Sequence, residues 1–187
     1  MIGIIDYGIN DTSELSKKLE ELEIDFIKTK KESEITACDK IILSDADDLS
    51  KAVKRLHLFN LFSFIRLMKK PVLGISLGME LLCGKFNGVS CLGIFATDII
   101  DNSEFSGWRN VSLTAENLLF RGIENNSEFY FENDYHINLN SSTVASVNNA
   151  EKFSAALIKD NFYAVQFLPE KSGEQGGQLL KNFATLS

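Results

Sequence analysis

The ten residues from Pro71 to Glu80 constrain the fold of this chain more than any others. An apolar run, Val72-Leu73-Gly74-Ile75, reads as a buried strand. It passes through Gly74-x-Ser76-x-Gly78 straight into the helical spacing of Leu77–Leu82. A strand that becomes a helix without a loop must turn sharply, and the turn lifts one side chain, here Ser76, above the sheet edge. Glycines on either side keep Cβ atoms clear of that turn. The helix behind it offers its first N–H groups and positive dipole end to a developing oxyanion. The plain alternative is a tight strand-to-helix turn with no chemistry.

The flanking sequence fits an α/β protein. Residues 2–5 read as a strand, Thr12 or Ser13 to Leu22 as a helix, and 24–27 and 40–43 as strands. A helix is expected from about Asp48 to Lys69, stopped by Pro71. Strands alternating with helices imply a parallel sheet covered on both faces. After the elbow the pattern changes. Short alternating segments near 91–100, 107–113, 128–137, 143–147, 153–158 and 162–167 suggest an antiparallel extension, and a helix from about Glu174 to Ala184 ends the chain. No repeat or linker interrupts this, so residues 1–187 are expected to form a single domain.

Composition narrows the function classes. The chain has 187 residues, 44% hydrophobic and 24% charged, with a formal net charge of −7. That excludes a disordered chain or a disulfide scaffold, and an acidic surface argues against nucleic acid or a membrane as partner. Met1-Ile2-Gly3-Ile4-Ile5-Asp6 lacks the basic region of a signal peptide, and no apolar window approaches the roughly 18 residues of a membrane span, so a cytoplasmic location is expected. Cys38, Cys83 and Cys91 are odd in number and show no C-x-x-C spacing, which reads as reduced, partly buried thiols. With only two histidines, His57 and His136, a His-built metal site has little to draw on, and neither metal nor other cofactor is expected. The apolar stretch 56–68 reads as a helix packed on the sheet rather than a partner surface.

A serine hydroxyl is a weak nucleophile unless a base takes its proton. His57 precedes the elbow on a helix. His136 lies in a strand-like run beside Asp134 and Tyr135 and is the remaining candidate for a Ser76–His136 pair.

Several segments together carry a family resemblance: Asp6-Tyr7-Gly8 after the first strand, the 71–82 elbow, Gly107-Trp108, Phe129-Tyr130-Phe131, and Val165-Gln166-Phe167-Leu168-Pro169-Glu170-Lys171-Ser172-Gly173. In this order and at this length the chain resembles the glutaminase subunits of imidazole glycerol phosphate synthase, which are class I glutamine amidotransferases. The resemblance implies a flavodoxin-like three-layer sandwich with a mixed central sheet. It also implies glutamine hydrolysis by a cysteine, a histidine and a glutamate, with ammonia passing to a (β/α)8-barrel synthase partner.

Where the resemblance places the chemistry, this chain departs from it. Ser76 stands at the cysteine position and Leu168 at the histidine position, leaving Glu170 alone of the three. The family's glycine-rich oxyanion loop corresponds to Ser44-Asp45-Ala46-Asp47, without a glycine. The positions that would grip glutamine carry Glu80 and Asp134, the latter next to Tyr135. The aspartates at 45, 47 and 48 also suit the start of the following helix. On the docking side, Trp108, Tyr130 and Lys171 keep family-like residues that the resemblance places against the barrel. The leading expectation is a pseudo-glutaminase that supports or regulates a synthase. An active glutaminase, serving histidine biosynthesis or a sugar-amidation paralogue, and a serine hydrolase using Ser76 and His136 are the alternatives.

Overall fold

The computed structural model describes residues 1–148 and 152–186; the side chains of 101–105, 133 and 134, and with them that of Asp134, lie outside the described residues. The strands are β1 (Ile2–Ile5), β2 (Phe26–Thr29), β3 (Lys40–Leu43), β4 (Val72–Ile75), β5 (Lys85–Phe86), β6 (Val89–Ser90), β7 (Ile99–Leu113), β8 (Ser127–Ile137), β9 (Thr143–Asn148), β10 (Lys152–Lys159) and β11 (Phe162–Val165). The helices are α1 (Ser13–Glu21), α2 (Glu32–Ala37), α3 (Leu49–Leu58), α4 (Leu61–Arg66), α5 (Leu77–Leu82) and α6 (Gly173–Thr185). Short 3-10 turns lie at Leu118–Phe120 and Pro169–Lys171.

Among the described residues nine strands form one mixed sheet in the order β2-β1-β3-β4-β11-β10-β9-β7-β8. The first five run parallel, and β11 pairs parallel with β4 on one side and antiparallel with β10 on the other. One core packs α2 through α5 on one face, around Ile35, Leu56, Ile65 and Met79. The second packs α1 and α6 on the other, around Leu15, Leu19, Leu180 and Phe183. Helix, sheet and helix thus stack as the expected three layers.

Four local expectations change. The helix expected over 48–69 is two helices, broken at Phe59-Asn60, where Asn60 takes the left-handed region at φ 58°. Asparagine tolerates that region, so the break precedes Pro71 and does not depend on it. The second strand begins at Phe26 rather than Ile24, because Glu23 turns left-handed at φ 55° to close α1. Most of 91–98 is not strand; Leu92 and Ile94 donate backbone hydrogen bonds to Leu81 and Leu82 at the end of α5. Finally, β11 does not belong wholly to the antiparallel part; it joins the two halves of the sheet.

In the 56–68 stretch Leu56, Leu61 and Ile65 are buried, as a packed helix requires, while Leu58 and Leu67 are exposed. His57 is exposed and stacks on Phe62 with ring centroids 4.1 Å apart. All three cysteines are free and buried.

Candidate active site

Three adjacent parallel strands, β3, β4 and β11, end side by side, and the loops leaving their carboxyl ends build the site. This is where open α/β sheets bind ligands. Ser76 leaves β4 at φ 53° and ψ −115°, an unusual conformation for a side-chain-bearing residue, with its N–H bonded to Val165 O at 2.8 Å. The glycines beside it are required by packing. A Cβ on Gly74 would lie 2.4 Å from Gly78 O, and one on Gly78 would lie 1.9 Å from Leu43 O. The predicted elbow is therefore present, with α5 pressed against the end of β3.

Asp45, from the loop after β3, reaches over the elbow to the start of α5. Its carboxylate accepts the Leu77 N–H at 3.2 Å and the Ser76 hydroxyl. Burial pushes its pKa up, and three hydrogen bonds, from the Ser76 hydroxyl and the Leu77 and Ala46 N–H groups, partly offset that. The Leu77 N–H, which the start of a helix would offer to developing negative charge, thus already serves a carboxylate of the protein itself. The loop is held by buried Asn10, whose side-chain amide donates to Ser44 Oγ at 2.8 Å and to Ile5 O at 3.0 Å. Asp48 caps α3, accepting Lys51 N–H at 2.8 Å.

Leu168 is 3% exposed and packs in the core shared by α1 and α6. Its N–H bonds to Tyr130 O at 2.9 Å, and its carbonyl accepts the Ser172 hydroxyl at 2.6 Å. Two residues on, burial raises the Glu170 carboxyl to about pKa 7, and its buried Oε2 has no hydrogen-bond partner among the described residues. The positions where the resemblance places the triad therefore hold a hydroxyl, an isobutyl group and a carboxyl.

Two cavities adjoin here. One of about 490 Å3 is lined by Ser76, Leu77, Glu80, Asp48, Phe86 and Tyr135, and the other, of about 280 Å3, by Leu168, Glu170, Lys171, Asp11 and Glu14. Asp45, Ala46, Asp47 and Glu132 line both. Glu80 sits in the floor at 2% exposure, accepting Gln166 Nε2 at 3.4 Å. Burial, with the Glu80 charge second, raises the Cys91 thiol to about 11 and that of Cys83 well above its usual value.

Neither histidine lines either cavity. Side chains alternate along a strand. Tyr135 faces the elbow cavity, edge-on to Phe86 with ring centroids 4.6 Å apart. His136 therefore faces the opposite side, 5.8 Å from the Phe153 ring in the other core. That geometry does not offer His136 to Ser76.

The three expected docking residues do come together. Trp108 and Tyr130 are register partners in β7 and β8, with an edge-to-face contact at 5.8 Å, and Trp108 is 49% exposed. Lys171 Nζ lies 6.0 Å from the Tyr130 ring and pairs with Glu132 at 2.6 Å and Glu14 at 3.7 Å. Sequence reasoning passed over Glu132, Asp11 and Glu14. Glu132 was accessible through the period-2 rule, since it shares a strand face with Tyr130; the other two carry no local signal.

Comparison with known proteins agrees with this geometry. Residues 3–186 match the family described as glutamine amidotransferase class-I. The chain is 33% identical to the imidazole glycerol phosphate synthase subunit HisH of Bacteroides fragilis, covering 99% of each sequence. It is 41% identical over 158 residues to the HisH subunit of Escherichia coli O157:H7, covering 80% of this chain and 81% of that protein. A solved glutamine amidotransferase superposes with a TM-score of 0.76 at 14% identity, covering 97% of this chain and 96% of the other, which speaks for the fold alone. With the elbow, the mixed sheet and the end-to-end similarity in agreement, the chain belongs to the class-I glutamine amidotransferases, as a HisH-type subunit.

Proposed function

We propose that this chain is a HisH-type subunit that has lost glutamine hydrolysis and that supports or regulates a (β/α)8-barrel synthase of imidazole glycerol phosphate synthase type. The observation that carries this reading is the Asp45 carboxylate seated on the Ser76 hydroxyl and Leu77 N–H, with buried Leu168 where the family has its base. Each feature acts against glutaminase chemistry. A hydroxyl replaces an intrinsically strong thiolate nucleophile. An isobutyl group neither takes its proton nor returns one to the leaving amine. A carboxylate on the oxyanion donors repels the charge the reaction would develop there.

The names of the Bacteroides and Escherichia relatives support a synthase partner for this chain. The cluster of exposed Trp108, half-buried Tyr130 and exposed Lys171 has the aromatic-plus-cation character enriched at interface centres. The decisive measurement is glutamate release from glutamine with the cognate synthase present. The expected turnover is below ~0.1 s⁻¹, a tenth of the low end of typical enzymes, and a faster rate overturns the reading. Absence of any synthase that co-purifies with the chain or raises its thermal midpoint would remove the partner half of the proposal.

A further inference from the structure

Residues 49–70 carry six lysines and arginines and no aspartate or glutamate, in a chain whose net charge is −7. Of the six, only Lys51 has a carboxylate within ion-pair distance among the described residues. The end of this basic segment also bears an apolar groove of about 380 Å3, lined by Ile35 of α2, Phe64 of α4, and Leu67 and Met68 just after α4. Leu67, at 74% exposure, is the most exposed large apolar side chain among the described residues. Lys69 and Lys70 line the same groove. The Lys70 ammonium donates to the carbonyls of Thr36 and Cys38, which fixes it in place and leaves one of its three N–H donors. Arg66 and Lys69 are exposed. On the α2 side, Glu34 pairs with Lys31 and Asp39 with the amino terminus, so Glu32 is the carboxylate there without a cation among the described residues.

We propose that this groove docks an acidic segment of a partner protein. One large apolar side chain of that segment seats against Leu67 and Phe64, and its flanking carboxylates meet Arg66, Lys69 and Lys70. The apolar anchor holds the segment, while the cations steer it in and fix its register. The site is separate from the elbow. Lys69 and Lys70 come just before β4 and α2 just before β3, whereas Ser76 follows the carboxyl end of β4. The groove therefore lies at the opposite end of the sheet from Ser76 and Lys171, and its partner does not compete with a synthase docked there.

Charge and shape select this occupant. The apolar stripes of α3 and α4, with Leu56, Leu61 and Ile65, face the sheet, so neither helix has an apolar face to lay in a bilayer. A second copy across a two-fold axis would set the same cations against each other. A single small carboxylate leaves most of these cations unanswered, whereas successive acidic side chains of one segment meet several.

The test pans a displayed library of random peptides, each about twelve residues long, against the whole chain. Enriched peptides should set aspartate or glutamate beside a leucine, phenylalanine or tryptophan; they are then synthesised and titrated by fluorescence anisotropy. Leu67→Ser, and Arg66→Gln combined with Lys69→Gln, should each weaken binding about tenfold. Leu67→Met and Arg66→Lys should retain it. These side chains are exposed, so the thermal midpoints of the variants should stay close to the parent's, which separates lost binding from lost fold. A library that yields no acidic and apolar consensus, or binding that survives both variants, overturns the proposal. Leu67-dependent sedimentation with phosphatidylserine vesicles overturns it in favour of a membrane, and Leu67-dependent self-association in favour of a second copy. No arm involves glutamine, so the result stands apart from the glutaminase assay.

Discussion

At Glu170, burial raises the carboxyl pKa to about 7, so the residue's effect on stability depends on pH. Because the folded value lies above the unfolded one, folding is favoured relative to high pH while the group stays protonated. That contribution is fully present below about pH 4.5 and is lost as pH rises through about 7. Glu170→Gln removes the charge without changing shape. Urea denaturation should show the variant about 2 kcal/mol more stable than the parent near pH ~8, with little difference near pH ~4. Asp45 sets a different constraint at the same scale. Restoring the family pair with Ser76→Cys and Leu168→His leaves the Leu77 N–H bonded to Asp45. We expect that double variant to stay nearly inactive in a glutamate-release assay, and the added Asp45→Gly change to raise its rate about 100-fold, the lower range for one oxyanion donor. Equal rates for the double and triple variants would show that Asp45 does not obstruct catalysis.

At the scale of elements, the elbow depends on how closely α5 approaches β3. Gly78 meets the Leu43 carbonyl where a Cβ would stand 1.9 Å away, and that oxygen belongs to backbone rather than to a flexible side chain. Gly78→Ala should therefore destabilise the fold by about 3 kcal/mol or more, read from chemical denaturation. A loss under about 1 kcal/mol would mean that the helix shifts freely. The Asp48 cap is a smaller device. Asp48→Ala should lower stability by about 1 kcal/mol through α3. Two elements had signals that periodicity alone overlooks. Asn87-Gly88, both at positive φ, form the turn of the β5–β6 hairpin, and Asn60 marks the break between α3 and α4. In each case a residue tolerant of the left-handed region redirects a chain whose hydrophobic pattern continues.

For the whole molecule, the proposed docking face and the acidic cavity meet at Lys171 and Glu132. Both line the cavity, and Lys171 pairs with Glu132 while lying 6.0 Å from the Tyr130 ring. Trp108→Ala should weaken association with the cognate synthase at least tenfold in a titration, by loss of a large exposed aromatic, while the thermal midpoint of the isolated chain changes little. Unchanged affinity would mean that the partner sits elsewhere.

The elbow is legible from the residues alone, because its geometry follows from local sterics: glycines on either side of Ser76, a buried strand before it and a helix after it. Equally legible is which residues stand where the resemblance places the triad, since Ser76 and Leu168 are what they are in any fold. The parallel first half was likewise legible, because strand and helix periods alternate there over short range. What surrounds these residues follows from tertiary contacts alone. Asp11, Asp45, Glu132 and Glu170 are far apart along the chain, and they meet because β11 inserts between β4 and β10 and brings the 168–171 turn beside the loop after β3. Pairings at such separation depend on the whole sheet closing, so no local pattern could announce them. The seat of Asp45 on the Ser76 hydroxyl and the Leu77 N–H and the raised pKa of Glu170 are consequences of that closure.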